Sequence, residues 1–119
     1  MLSDRHAEWF GHIRENAERI ETYLGTKSYD EFVSDELSHD AIERCLERIC
    51  EASRRLGSVA EELIPDLNWQ GIQGLGNVLQ HDYDQLEQPE ICRVVRDEVP
   101  LLRERTAALL ERHVLRTEG

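Results

Sequence analysis

Apolar side chains recur every three to four residues along nearly the whole chain, which is the spacing of one face of an α-helix. β-Branched residues are sparse and never alternate with polar ones, so no segment predicts a strand. The first apolar stripe predicts a helix that has Ser3 as its N-cap and stops at Gly25. Its members are Trp9, Phe10, Ile13, Ala17, Ile20 and Leu24.

Two more helices are predicted in the next part of the chain. Ser28, followed three residues later by Glu31, has the sequence of a capping box and opens a short helix that carries Phe32. A long helix then begins near Ser38, and its apolar stripe continues without a break. That stripe consists of Ile42, Cys45, Leu46, Ile49, Leu56, Val59, Ala60 and Leu63.

The second half of the chain predicts two helices, each with an unfavourable feature. Residues 65–68 form a loop, and Asn68 is a natural N-cap for a fourth helix over about 69–84. Each glycine inside that helix costs about 1 kcal/mol relative to alanine, so packing must hold the segment helical. The glycines are Gly71, Gly74 and Gly76. A last helix over about 90–115 contains Pro100, which should kink it or split it in two.

Four long amphipathic helices with short connections predict an all-α fold, an antiparallel four-helix bundle with one additional short helix. The length of 119 residues suits one compact domain, so we expect a single domain over 1–119.

Composition narrows the class of protein. The net charge of −11 argues against a surface that grips nucleic acid all over, so such an activity needs a local basic site. No segment approaches the length of a membrane span, and the N-terminus lacks the apolar region of a signal peptide. The cysteines match no metal-ligand spacing and are expected to be reduced, as in a cytoplasmic protein. They are Cys45, Cys50 and Cys92.

The arginines are unevenly distributed. Residues 63–90 contain no Lys or Arg, whereas Arg44 and Arg48 belong to a cluster in the third helix. One interpretation is a solvated helix face with ion pairs to neighbouring glutamates. The other is that some arginines of this cluster, which also contains Arg54 and Arg55, line a phosphate-binding groove, with Arg44 and Arg48 as the candidates.

His81 is the candidate for acid–base chemistry. On a helical wheel it lies about 160° from the apolar side of the fourth helix, with Gly74 on its side and Asn77 close by. An imidazole on a polar face can exchange protons near neutral pH, although an exposed histidine without a function fits the same pattern. The other histidines have no metal-ligand spacing; they are His6, His12, His39 and His113.

The run from Trp69 to Tyr83, with Ile72, Gly74, Leu75, Asn77, Leu79 and His81 between them, resembles the signature of the HepT-like family of HEPN-domain proteins. That pattern reads approximately Trp-x-x-Ile-x-Gly-(Met/Leu)-Arg-Asn-x-Leu-x-His-x-Tyr. Phe32 with residues 40–52 resembles a second block of the family, and residues 99–102 resemble its closing helix.

The resemblance implies a HEPN-like helical bundle that forms homodimers. Many family members are toxins of toxin–antitoxin modules and act as metal-independent, cofactor-free RNA endonucleases. Their antitoxin partner is a minimal nucleotidyltransferase, which in some systems transfers AMP to a tyrosine of the toxin. By this resemblance His81 and Asn77 are catalytic and Tyr83 is the modified tyrosine.

The chain departs from the family pattern at Gly76, where the motif has arginine. Metal-free RNA cleavage needs a cation to stabilise charge on the phosphoryl oxygens, and glycine supplies none. Arg44 or Arg48 is a candidate substitute. The alternatives are an active ribonuclease toxin, a catalytically impaired homodimer that still binds the nucleotidyltransferase, and a glycine introduced to tame a toxic protein.

Overall fold

The protein is helical throughout the part of the chain that its structure, a computed structural model, describes. That part is residues 2–81 and 88–118, without the side chains at positions 77, 78, 80, 81, 88, 117 and 118. The helices are α1 (Asp4–Leu24), α2 (Tyr29–Ser34), α3 (Glu36–Leu56), α4 (Ser58–Leu63), α5 (Trp69–His81), α6 (Gln88–Asp97) and α7 (Val99–Glu118). The all-α class is confirmed.

The ends of the first two helices confirm the predicted capping residues. The Ser3 hydroxyl accepts a hydrogen bond of 3.1 Å from the His6 amide, and Gly25 ends α1 with a φ of +54°. Ser28 and Glu31 form the reciprocal capping box, in which each side chain accepts from the other residue's amide. Local chemistry therefore fixes both termini of the α1–α2 connection.

The prediction of one continuous helix from about Ser38 to Leu63 is wrong. The chain breaks at Gly57, whose φ of +57° lies in the left-handed region that terminates a helix. The apolar stripe hides this break because buried side chains continue on both sides of it, as at Leu56 and Ala60. The preceding helix, α3, also starts slightly earlier than predicted, since Asp35 rather than a later residue is its N-cap.

The split predicted near Pro100 is confirmed. Helix α6 ends at Asp97 and α7 begins at Val99, so Pro100 is the second residue of α7. Proline is tolerated there because the first amides of a helix have no internal acceptor.

The long helices pack in the order α5, α3, α1, α7, and each runs antiparallel to its neighbour. Ion pairs at opposite ends of the α1–α7 pair show the alternation, with Asp4 near His113 and Glu21 bonded to Arg103. Phe10, Ile13, Ile20, Phe32, Ile42, Leu46, Ile49, Trp69, Ile91, Val95, Val99 and Leu102 are the largest fully buried side chains. None of the described helices combines the length and apolar character needed to cross a membrane.

Candidate functional site

The start of α5 is fixed by Asn68, whose side-chain oxygen accepts a hydrogen bond of 3.0 Å from the Gly71 amide. A Cβ on Gly71 would lie 2.9 Å from the Asn68 Cγ, so the cap and a side chain at position 71 compete for one space. The Trp69 indole N–H donates a 2.8 Å bond to the Ile64 carbonyl, which ties the helix to the preceding loop. Asn68 is therefore confirmed as the N-cap.

Direct polar contacts hold α5 against α3. The Cys50 thiol donates to the Ile72 carbonyl at 3.0 Å, and the Gln73 amide donates to the Ser53 hydroxyl at 3.1 Å. Gly76 lies where the two helices approach closely, since a Cβ there would lie 3.2 Å from the Cys50 Cβ. A side chain at position 76 would therefore require its α3 neighbours to shift by a few tenths of an ångström.

The apolar face predicted for α5 is confirmed. Ile72, Leu75 and Leu79 are buried, whereas Gly74, which the helical wheel puts on the side of His81, is exposed with open space around it. The side chains of Asn77 and His81 lie outside the described part of the structure, and so does the whole of Tyr83. Their catalytic and modification roles stay predictions.

A groove of about 610 Å³ lies between α1 and α3. Arg44 and Arg48 both line it, so the structure brings together the two arginines that the sequence singled out. It adds Arg54, which belongs to the same sequence cluster, and Arg19, which sequence reasoning did not select. Arg19 approaches from α1, and only the antiparallel packing of the two helices reveals that it shares a groove with the others.

The groove is lined by four arginines and by three glutamates, Glu15, Glu47 and Glu51, so its positive charge is only partly neutralised. Arg44 pairs with Glu47 at 3.0 Å, and Arg54 pairs with Glu51 at 3.0 Å. Within residues 2–81 and 88–118, neither Arg19 nor Arg48 has an ion pair to a carboxylate. These two guanidinium groups, on facing helices, can accept an anion without first breaking an ion pair.

Glu51 is shared by two arginines. Its carboxylate accepts hydrogen bonds from Arg55 at 2.9 Å and from Arg54 at 3.0 Å, and these bonds hold the pKa of the Glu51 carboxyl below its usual value. One anion therefore faces two cations, of which Arg54 lines the groove and Arg55 does not.

Asn16 provides a buried polar group on the groove wall. Its side chain is 3% exposed, and its amide nitrogen donates a 2.8 Å bond to the His12 carbonyl. Its Oδ1 has no hydrogen-bond partner within the described residues. Beside it, the Trp9 ring lies under the Arg55 guanidinium at 5.7 Å. Asn16 and Trp9 thus line the same groove as the arginines.

The structure also brings together His39, Asp40 and Glu43, whose ligand atoms all lie within 4.8 Å of one another. Burial raises the pKa of the Glu43 carboxyl, and Asp40 and Glu47 add to that rise. Sequence spacing had suggested no metal site at any histidine. Among the described residues this is the group that could hold a cation, although Asp40 is exposed and a cluster of this kind is common without an ion.

Three cysteines are buried and form no disulfide within the described residues; they are Cys45, Cys50 and Cys92. Burial raises the pKa of the Cys50 thiol to about 11 and also raises the pKa of the Cys45 thiol. Both thiols are therefore poor nucleophiles near neutral pH.

A larger cavity of about 690 Å³ lies elsewhere, between the N-terminus and the end of α7. Leu2, Leu109, Arg112 and His113 are among its lining residues, and none of the lining belongs to α5. The α1–α3 groove is the better candidate for the site, because Arg54 connects it to α5.

Known proteins place the chain in a family. A relative from Methanocaldococcus jannaschii, provisionally named an RNase, is 30% identical over 91 residues, which is 76% of this chain and 84% of that protein. A second protein of the same organism with the same provisional description is 31% identical over 88 residues, 74% of this chain and 73% of its own length. A protein of Thermococcus cleftensis, provisionally named ribonuclease HepT, is 26% identical over 98 residues, 82% of this chain and 89% of that protein.

No solved structure matches the chain with comparable significance. The family model described as "Ribonuclease HepT-like" matches residues 13–109, a span that includes α3, α5, the groove arginines and His81. The chain belongs to the ribonuclease HepT-like family.

Proposed function

We propose that this protein is a metal-independent RNA endonuclease of the HepT toxin type, in which His81 transfers protons and the α1–α3 groove binds the RNA backbone. The observation that carries the proposal is the groove itself, where four arginines converge from two helices of a chain with a net charge of −11. Family membership supports the same reaction.

The reaction is an internal transesterification that needs no external reagent. The 2′-oxygen of a ribose attacks the adjacent phosphorus, and the bond from phosphorus to the 5′-oxygen breaks. A base takes the proton of the 2′-hydroxyl and an acid gives a proton to the departing 5′-oxygen, so the products are a 2′,3′-cyclic phosphate and a 5′-hydroxyl. A histidine with a pKa near neutrality suits this exchange, and Asn77 is proposed to orient the substrate by hydrogen bonding.

The groove explains how an acidic protein can hold RNA. Arg19 and Arg48 are free of carboxylate partners within the described structure, so a phosphate can bind to them without competition from an internal ion pair. Arg44 lies at the same groove and adds positive charge, although Glu47 partly neutralises it. RNA affinity should therefore come from this local site.

Regulation by a partner is part of the proposal. The protein is proposed to act as a homodimer in the cytoplasm, as one component of a toxin–antitoxin pair. A minimal nucleotidyltransferase would silence it by transferring AMP from ATP to the hydroxyl of Tyr83, with release of pyrophosphate. The family resemblance and the tyrosine at position 83 support this part of the proposal.

The decisive experiment measures cleavage of a mixed-sequence RNA by the purified protein in the presence of EDTA. We expect fragments that end in 2′,3′-cyclic phosphate, and we expect His81→Ala to abolish them. Cleavage that requires a divalent metal, or that persists in His81→Ala, would contradict the proposal.

The second candidate function is a catalytically impaired dimer that binds the nucleotidyltransferase without cutting RNA. Gly76 and the acidic net charge favour it. Gly76→Arg separates the two candidates. An inactive natural chain that becomes a ribonuclease on this substitution would support the impaired binder, whereas activity of the natural chain would exclude it.

A further inference from the structure

The proposed ribonuclease function, on which this proposal rests, requires a cation that α5 does not supply. Metal-free cleavage places extra negative charge on the phosphoryl oxygens in the transition state, and a guanidinium is the side chain best suited to stabilise it. Residues 63–90, which include all of α5, contain no Lys or Arg. A cation near the phosphate must therefore come from another element.

The guanidinium of Arg54 approaches α5 at Gly76. The Nη1 atom of Arg54, in the last turn of α3, lies 3.4 Å from where a Cβ on Gly76 would be. Arg54 reaches this position because side chains of a helix point toward its N-terminus, here toward the level of Cys50. The cationic end of Arg54 thus occupies the space above the glycine.

Gly76 and Arg54 are complementary. A Cβ at position 76 would lie 3.2 Å from the Cys50 Cβ and 3.4 Å from the Arg54 Nη1. A Cβ alone at position 76 would lie at the edge of ordinary contact with this guanidinium, and a longer side chain would compete with it for the same space. The same guanidinium lines the α1–α3 groove, which is the proposed RNA-binding site, so Arg54 connects this groove to the helix that carries His81.

Arg54 is also available to bind an anion. Its Nη2 donates to Glu51, and that carboxylate is shared with Arg55, so the three groups together keep one surplus positive charge. The Nη1 atom on the α5 side has no acceptor within the described residues. Position 81 follows Gly76 by five residues, a rise of about 7.5 Å along α5 and a turn of about 140° around it, so a substrate phosphate has to bridge from Arg54 on α3 to the histidine on α5.

We propose that Arg54 is the phosphate anchor of the reaction, and that it supplies from α3 the guanidinium that α5 lacks. It would hold the non-bridging oxygens of the scissile phosphate through Nη1 while Glu51 fixes its orientation through Nη2. Arg44 and Arg48, lower along the groove, would then bind neighbouring phosphates rather than the one that is cut.

The test compares Arg54→Gln with the matched control Arg55→Gln. Both variants remove one positive charge from the same helix and one hydrogen bond to Glu51, but only Arg54 touches α5. We expect Arg54→Gln to lower kcat/KM for RNA cleavage by about 100-fold or more and Arg55→Gln to stay within a few-fold of the natural chain. Arg54→Lys, which keeps the charge but not the two-pronged donor, should fall between them.

A binding measurement separates the anchor role from a structural one. In the non-cleaving His81→Ala background, Arg54→Gln should reduce the salt dependence of the affinity for a short single-stranded RNA by about one phosphate contact, while the thermal midpoint stays near that of the Arg55→Gln control.

The outcomes distinguish the two proposals. If the natural chain cleaves RNA through His81 and Arg54→Gln cleaves as well as Arg55→Gln, the ribonuclease proposal stands and Arg54 is not the anchor. If the natural chain does not cleave RNA, the proposed function fails and the anchor proposal fails with it.

Discussion

The thiol of Cys50 donates a 3.0 Å hydrogen bond to the main-chain carbonyl of Ile72. This bond crosses the α3–α5 interface, where Cys50 is 1% exposed and also forms the surface against which Gly76 packs. A single cysteine therefore supports the helix that carries the proposed catalytic histidine.

The Cys50 thiol should make the stability of the protein sensitive to alkali. Its pKa is about 11 in the folded protein, against 9.0 for an ordinary thiol. Between these two pH values the unfolded chain loses the proton and the folded chain keeps it, so the free energy of unfolding should fall as the pH rises. The loss should be on the order of 2 kcal/mol by pH 11.

Urea denaturation at pH 7, 9 and 11 measures this effect, with Cys50→Ser as the variant that cannot ionise. The decline should be shallower in Cys50→Ser, although Cys45, whose pKa burial also raises, leaves some decline in both proteins. Equal slopes for the two proteins would show that Cys50 does not titrate as the structure requires.

The glycines of α5 should respond differently to alanine. Gly74 is exposed with open space around it, so Gly74→Ala should raise the free energy of unfolding by about 0.5–1 kcal/mol through helix propensity. At Gly71 the new Cβ must displace the Asn68 side chain, and losing that cap costs about 1 kcal/mol. The free energies of unfolding of the two variants, measured by chemical denaturation, should therefore differ by about 1 kcal/mol. A larger gain in stability from Gly71→Ala than from Gly74→Ala would contradict the capping geometry.

The groove arginines should govern RNA affinity. In a His81→Ala background, Arg48→Ala and Arg19→Ala should each weaken binding of a short single-stranded RNA and lower the salt slope by about 0.7. Fluorescence anisotropy over a range of salt concentrations measures both quantities. Arg93→Ala is the control, because Arg93 lies outside the groove and pairs with Glu90 and Glu98. A slope that changes equally in the control would mean that binding is not local.

The proposed modification predicts a change in mass. Incubation with ATP and a cognate minimal nucleotidyltransferase should add about 329 Da for each AMP that the Tyr83 hydroxyl accepts. Intact-mass spectrometry detects the addition, and RNA cleavage should fall in proportion to the modified fraction. The same increase in Tyr83→Phe would place the acceptor elsewhere, and no increase in the natural chain would remove this part of the proposal.

Local chemistry made much of the fold predictable. Ser3, Ser28 and Asn68 cap the helices that follow them because a side-chain oxygen needs only an amide two or three residues away. The helix break at Gly57 was not predicted, because the apolar stripe indicates only which residues are buried. Buried residues lie on both sides of the break, and the break itself appears only in the positive φ of Gly57.

The role proposed for Arg54 in the candidate site could not be predicted from the sequence. Arg54 looks like any surface arginine of a helix with ion pairs, since its i,i+3 partner Glu51 is visible in the sequence. What distinguishes it is a contact with Gly76, which is 22 residues away and on another helix. Contacts of this kind depend on how two helices cross, and periodicity along one chain contains no record of that crossing.

The anchoring of α5 has a consequence for substitutions far from the chemistry. The indole of Trp69 fixes the N-terminal end of α5 to the Ile64 carbonyl. Position 81 lies twelve residues further along the chain, roughly 18 Å along the helix axis. A rotation of α5 by about 5° about its N-terminal end would move position 81 by roughly 1.5 Å. A displacement of about 1 Å can slow an enzyme 100-fold. We therefore expect that loss of the indole hydrogen bond reduces activity, even though it changes no side chain that is proposed to contact RNA.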